Sequence, residues 1–158
     1  MKVAVLADTH IPKKAKKLPA AAEVVLQSAD LIIHAGDVIS GDFLEQLRSI
    51  APLHAVLGNN DINLDLPESL ELEIEQVKLA IIHDSGNKKG RGKRMRRLFP
   101  EAQIVIFGHS HVPVNQDEDG VRLFNPGSPT DKRMQPKPTM GLLSLNNGGW
   151  DAKIVPLS

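Results

Sequence analysis

The sequence predicts an α/β fold: two layers of mixed β-sheet packed as a sandwich and flanked by helices, with the chemistry at the carboxyl ends of strands. Three observations predict it. Short apolar runs alternate with helix-like segments through the first two-thirds of the chain. Several of those runs are continuously apolar, the mark of strands buried on both faces. The last third changes character, to short strands separated by hairpin signals.

Taken in order, Lys2–Ala7 is the first buried strand. Pro19 opens a helix that runs through about Gln27, because proline is pre-set for a first helical turn. Leu31–Ala35 is the second strand. Gly41–Ile50 is a helix, with Phe43, Leu44, Leu47 and Ile50 on one stripe. Leu53–Leu57 is the third strand, and this β-α-β-α-β order implies parallel strands joined by right-handed crossovers. Leu70–Val77 alternates apolar residues with Glu71, Glu73 and Glu75, a half-exposed strand with an acidic wet face. Val77–Ile82 follows as a buried strand, then a basic helix over about Gly92–Leu98, then a buried strand at Gln103–Phe107. Asp119-Gly120 signals a hairpin between Val112–Gln116 and Val121–Phe124, and Asn147-Gly148-Gly149 signals another.

The chain has 158 residues, enough for one domain and not for two of full size. Cysteine is absent, which excludes a disulfide framework, a zinc ribbon, an iron–sulfur site and a cysteine nucleophile. Any metal must be held by oxygen and imidazole nitrogen. Four Phe, one Trp and no Tyr make base-stacking platforms poorly supplied. Met1 leads straight into an apolar strand with no cleavage site behind it, and no apolar run approaches the ~18–20 residues of a membrane span. A cytoplasmic protein without a membrane partner is the expectation. Net charge is zero, but more than half of the positive charge lies in two runs, Lys13–Lys17 and Lys88–Arg97. Both runs begin at the expected carboxyl edge of the sheet, where their sign suits a small anionic substrate.

Five buried-strand candidates each end in polar residues able to bind metal. Lys2–Ala7 runs into Asp8-Thr9-His10, and Leu31–Ala35 into Gly36-Asp37. Leu53–Leu57 runs into Gly58-Asn59-Asn60-Asp61, Val77–Ile82 into His83-Asp84, and Ile104–Phe107 into Gly108-His109-Ser110-His111. Ligands collect beyond the carboxyl ends of strands in α/β sheets. A lone Asp or His after a strand is usually a cap or turn residue, and His34 and His54 read as satisfied strand histidines. Four of the six histidines falling at strand ends is a much stronger signal. The assembled set is Asp8, His10, Asp37, Asn59, His83, His109 and His111. Seven nitrogen and oxygen ligands exceed one tetrahedral zinc and suit two divalent ions about 3.5–4 Å apart, bridged by a carboxylate.

These motifs, in this order, resemble those of the calcineurin-like metallophosphoesterases, and most closely the small prokaryotic phosphodiesterase branch. That branch also carries the pattern seen here as Asn125-Pro126-Gly127-Ser128. The resemblance implies one such domain over residues 1–158 and hydrolysis of a phosphodiester by a metal-bound hydroxide. It implies one metal on Asp8, His10, Asp37 and His111, and a second on Asp37, Asn59, His83 and His109. Manganese is the favoured metal, with iron, zinc, cobalt or nickel open. Catalytic positions fall on Asp37, Asn59, Asn60 and Asp61, and substrate contacts on Asn60, Asn125, Gly127, Ser128 and Arg133, although the Asn125–Ser128 turn reads equally well as a structural turn. The family resemblance also favours a homo-oligomer.

One departure has a chemical consequence. Many superfamily members have His where this chain has Asn60, and Asn cannot donate a proton to a leaving group at neutral pH. Two alternatives stay open. One is a binding scaffold of the same fold, resembling the retromer subunit that has lost part of its metal set; this chain keeps Asp37 and Asn59, which that scaffold replaces. The other is a nuclease using the basic rim, a role for which nucleic-acid recognition signals are lacking.

Overall fold

Alternation along the first strand sets the architecture. In the computed structural model, which describes residues 1–157, β1 (Lys2–Leu6) sends Val3 and Val5 to one face and Ala4 and Leu6 to the other, and all four are buried. Only a strand covered on both sides tolerates this. β1 pairs in parallel with β2 (Leu31–His34), and β2 in parallel with β3 (Leu53–Ala55). The connecting helices α1 (Ala20–Gln27) and α2 (Gly41–Ile50) cover the outer face. Leu18, Leu26, Phe43 and Leu47 pack there on Ala4, Leu6 and Ile32. Ser40 caps α2 by accepting from the Phe43 N–H.

The second sheet is built from β4 (Ser69–Ile74), β5 (Val77–Ile82), β6 (Ile104–Ile106), β7 (Val114–Glu118) and β8 (Val121–Asn125). Its strand order is β4-β5-β6-β8-β7, with β5, β6 and β8 mutually parallel. Helix α3 (Arg91–Leu98) lies on its outer face, where Met95 and Phe99 meet Val105, Phe107 and Leu123. The chain then returns to the first sheet as β9 (Thr139–Asn146) and β10 (Gly149–Pro156), which completes the order β10-β9-β1-β2-β3. Val3, Val5, Ile33, Leu79, Ile81, Ile106, Phe124 and Leu143 fill the space between the sheets. The layers therefore run helix, sheet, sheet, helix.

The acidic alternation of β4 holds, with Leu70, Leu72 and Ile74 packed inward and the glutamates out. Its end differs from the expectation. Val77 belongs to β5 alone, and Glu75 and Gln76 form a two-residue turn with φ of 51° and 64°. Neither Gly nor Asn marks that turn, so it carries no sequence signal. The strand expected at Val112–Gln116 begins two residues later, at Val114, because His111–Pro113 still belong to the loop after β6. Both Asx-Gly hairpins form as two-residue turns.

The parallel strands of each sheet end at one edge, and the two edges meet. The Gly108 N–H donates to the His83 carbonyl within the second sheet. The His109 N–H donates to Asp8 Oδ2 across the sandwich, at 2.9 Å.

Candidate metal centre

The residues at this edge are held by an unusual backbone. Asp8, His10, Asp37, His109 and His111 have φ of 54°, 46°, 60°, 75° and 63°. Residues other than glycine rarely adopt such values, and each costs on the order of 1–3 kcal/mol. Five of the seven expected ligands sit in this region. Four of these five, all but His109, carry buried side chains that converge on one point together with His83.

That point is occupied by two carboxylates and three imidazoles. Asp8, His10, Asp37, His83 and His111 are all buried. Asp37 Oδ2 lies 3.5 Å from His10 Nε2 and 3.4 Å from His83 Nε2. Asp8 Oδ1 lies 3.8 Å from both His83 Nε2 and His111 Nε2, and 4.0 Å from His10 Nε2. Asp8 Oδ1 and the Nε2 atoms of His10, His83 and His111 are buried with no hydrogen-bond partner among the described residues. One such orphan costs about 1–3 kcal/mol. Four converging on one spot are explained if they face a cation.

The histidine tautomers agree. His83 Nδ1 is 2.8 Å from the Ala35 carbonyl, and His111 Nδ1 is 2.6 Å from the Asp131 carbonyl. A carbonyl can only accept, so each Nδ1 carries the proton and each Nε2 presents a lone pair. Hydrogen bonding of the far ring nitrogen is how proteins orient metal-binding histidines. Two groups have ligand atoms all within 4.8 Å of one another: Asp8 with His10 and His111, and Asp8 with Asp37 and His83. The donor set is oxygen and imidazole, which fits divalent ions of intermediate hardness. Asp8 is common to both groups, and Asp37 Oδ2 lies within 3.5 Å of a histidine of each, His10 and His83.

Electrostatics separate the two carboxylates. Burial pushes Asp8 up to about 7, with His83 opposing. Burial also works against ionisation of Asp37, but contacts from His83 and Asn60 outweigh it and hold the group well below the usual carboxylate range. For His83 burial favours the neutral ring, yet the nearby Asp37 and Asp8 win and raise its pKa. Burial lowers His10 and His111.

Asp61 is a scaffold for the site. Its Oδ2 accepts from the Asp37 and Gly58 N–H groups, and its Oδ1 from the Ile39 N–H at 2.6 Å. One carboxylate thus ties the loop after β2 to the loop after β3. Asn60 reaches Asp37 twice, through its backbone N–H to Oδ1 and its side-chain Nδ2 to Oδ2. The glycines leave room for neighbouring site residues. A Cβ on Gly58 would lie 2.2 Å from Asp37 N, and one on Gly36 would lie 2.6 Å from His83 Nδ1.

Asn125, Gly127 and Ser128, expected as phosphate contacts, are buried and engaged within the protein. The Ser128 hydroxyl donates to the Asp8 carbonyl, and Asn125 Nδ2 donates to the Gly108 carbonyl. The Gly127 N–H is taken by Asn125 Oδ1. The turn therefore clamps the loops that carry Asp8 and His109. Thr130 adds a hydrogen bond to the Thr9 carbonyl at 2.6 Å. This brace was not foreseen, nor was the Asp131 carbonyl that orients His111; neither has a motif of its own.

Asn59 and His109 sit apart from the buried five. Both are exposed. His109 stacks edge-on against His83, ring centroids 5.3 Å apart, and Asn59 shares a surface pocket with His83. Arg133 is also exposed, and its charge is felt by Asp8, His10 and His111. It is the one expected substrate contact that brings positive charge to the centre from outside. His34 is the satisfied strand histidine expected: Gly36 N–H donates to its Nδ1, so its Nε2 donates to Thr9 Oγ1. Asp84 accepts from the Gly86 N–H and so shapes the turn after His83. Arg94, in the second basic run, is committed to the Ser85 and Asn87 carbonyls.

Comparison with known proteins agrees with this geometry. The calcineurin-like phosphoesterase superfamily domain matches residues 1–148. A probable metallophosphoesterase of the archaeon Methanothermobacter thermautotrophicus is 35% identical, with 98% of this chain and 92% of the relative covered. Among solved structures, wild-type Vps29 of Entamoeba histolytica in complex with zinc superposes with a TM-score of 0.80 at 23% identity, covering 100% of both chains. An archaeal phosphodiesterase superposes with a TM-score of 0.73 at 22% identity, covering 98% of this chain and 100% of the other. At these identities the two structures establish the shared fold.

Proposed function

We propose a phosphodiesterase function for this chain, which belongs to the calcineurin-like phosphoesterase superfamily. The observation that carries the reading is the convergence of four buried, unpartnered polar atoms from Asp8, His10, His83 and His111. Asp8, His10, Asp37 and His111 would hold one divalent ion, and Asp37, Asn59, His83 and His109 a second. When bound, the ions supply Lewis-acid charge for phosphate oxygens and make a water acidic near neutral pH.

The chain's own residues do the rest. Asn60 fixes Asp37 through two hydrogen bonds and Asp61 fixes the backbone beneath it. Arg133 supplies a cation beside the site for a phosphate oxygen. Ser and Cys nucleophiles are not required, and no Ser hydroxyl faces a base in this cluster among the described residues. Asn60 offers no proton to a departing alkoxide, so the site favours diesters whose leaving group is stable as an anion. Manganese is the first ion to try, with iron, zinc, cobalt and nickel compatible with the same donors. The name of the archaeal neighbour supports the choice of diester over monoester.

The test is hydrolysis of bis(p-nitrophenyl) phosphate by metal-stripped protein, with and without added Mn²⁺, alongside p-nitrophenyl phosphate. The expected result is metal-dependent turnover of the diester that exceeds the monoester. Full turnover by the stripped protein in the presence of a chelator would refute the reading. A second reading, a scaffold that binds protein partners, is favoured by the full-length superposition on Vps29. It predicts no turnover with any of these ions.

A further inference from the structure

The loop that carries His109 and His111 has a second face. Ser110, between them, lines a cleft of about 360 Å³ together with Lys88, Arg91, Val112, Pro113 and Gln116. This cleft is joined to the metal centre through the His109–His111 loop and is lined on its other side by β7 residues of the second sheet. Its floor is apolar, from Val112, Pro113 and Val114, and its charged lining is cationic, from Lys88 and Arg91.

Arg91 is placed with care. Its guanidinium carbon lies 4.7 Å from the centroid of the buried Phe107 ring. Its Nη2 donates to the Gly86 carbonyl at 3.2 Å. Its Nε is buried and has no hydrogen-bond partner among the described residues. Neither Arg91 nor Lys88 makes an ion pair among the described residues. The charges of Glu118 and Asp84 are near enough to be felt, but neither forms an ion pair with Arg91, and each accepts a backbone N–H, from Gly92 and Gly86 respectively. Burying part of a guanidinium without an anion is unfavourable unless an anion arrives. Arg94 and Arg122, by contrast, are both engaged, on carbonyls and on Asp117 respectively.

We infer that the Lys88–Arg91 cleft is a subsite for one ester arm of the substrate, and that it selects phosphodiesters whose arm carries an anionic group of its own. The reacting phosphate sits at the metal centre, and the arm crosses the His109–His111 loop. Its carbon skeleton lies on Val112 and Pro113, and its carboxylate or phosphate meets Arg91 and Lys88. This rests on the phosphodiesterase reading. It adds a substrate class: an amphiphilic diester with a second negative charge, rather than a simple dialkyl or alkyl aryl diester.

The experiment uses matched aryl alkyl phosphodiesters with the Mn²⁺-loaded full chain. One pair carries the charge on the retained arm (3-carboxypropyl against butyl, both p-nitrophenyl esters). A second carries it on the departing arm (3-carboxy-4-nitrophenyl against 3-carboxamido-4-nitrophenyl, both methyl esters). A third, 2-phosphonoethyl against butyl on p-nitrophenyl, separates phosphate from carboxylate recognition. The expected result is a preference of about tenfold in kcat/KM for the anionic member of at least one pair, expressed mainly in KM. That preference should weaken with salt. It should fall toward unity in Arg91→Gln and survive in large part in Arg91→Lys. Because Arg91 also holds the Gly86 carbonyl, Lys88→Gln provides a second variant at an exposed residue, expected to reduce the preference about threefold. Equal kcat/KM within all three pairs would overturn the subsite while leaving the phosphodiesterase reading intact. A preference that persists unchanged in both Arg91→Gln and Lys88→Gln would do the same. Absence of turnover of every diester would overturn the phosphodiesterase reading and the subsite with it.

Discussion

The buried and exposed parts of the expected ligand set are built differently. Asp8, His10, Asp37, His83 and His111 are buried and held by strained backbone or carbonyl-fixed rings. Asn59 and His109 lie at the surface; the His109 ring meets the His83 ring edge-on, and the His109 backbone N–H donates to Asp8 Oδ2. The first group is preorganised, because its conformational cost is met by the fold. The second must be ordered when it binds. The difference teaches that the two proposed ion positions would have unequal affinity without any change of ligand chemistry. The position centred on His10 and His111 should fill first.

The comparison is broken most severely by removing a buried member. Asp37→Ala should lower metal-dependent kcat by at least about a thousandfold, and excess Mn²⁺ should not restore it, since both proposed ion positions would use Asp37. His109→Ala, in contrast, should weaken one position by about 10- to 100-fold and regain much of its activity when Mn²⁺ is raised accordingly. Activity against Mn²⁺ concentration for the two variants distinguishes rescue from loss. Equal rescue of both would erase the distinction between the two groups.

Asp61→Asn sharpens it from beneath. Asn keeps one acceptor oxygen where three N–H groups now converge on two. The expected cost is about 2 kcal/mol of stability, read by urea unfolding, with a fall of about 10- to 100-fold in kcat from displacement of Asp37. A smaller effect follows for Arg133→Gln, an exposed cation: KM for the diester should rise several-fold at low ionic strength, and the gap should narrow with added salt.

The smallest effect on activity comes from His34, which titrates behind the site. Its ring is fully buried and burial lowers its pKa to about 4, below the ordinary 6.5. The native state therefore binds fewer protons than the unfolded chain between those values. Stability from this group is complete above about pH 6.5 and is lost as pH falls toward 4, by about 3 kcal/mol across the window. His34→Gln cannot titrate, so its unfolding free energy should fall less steeply between pH 7 and 4.5. Parallel curves for parent and variant would refute this assignment.

Much of the fold is legible in the sequence. Continuous apolar runs ending in Asp8, Asp37, His83 and His109 mark the parallel strands and point to the candidate site, because a strand buried on both faces has nowhere to place a polar group except its end. The Glu75-Gln76 turn was not legible, since φ is positive at two residues that do not usually adopt it. The order of strands within each sheet depends on contacts distant in sequence, as in the return of β9 to β1. The Asn125–Ser128 turn reads equally as a phosphate contact or a structural turn in the sequence; its hydrogen bonds to the Asp8 and Gly108 carbonyls become visible only once three loops are assembled. Arg94 and Arg91 look alike in the basic run, and only the fold commits Arg94 to two carbonyls and leaves Arg91, with one carbonyl partner, lining a cleft.

The most direct test of the central claim is calorimetric titration of metal-stripped protein with Mn²⁺, with turnover of bis(p-nitrophenyl) phosphate followed across the same titration. Two unequal binding steps per chain, with turnover rising on the second and that step weakened in His109→Ala, is the result predicted here. A single step per chain, or turnover complete after the first, would contradict a centre that needs both the buried and the exposed ligands.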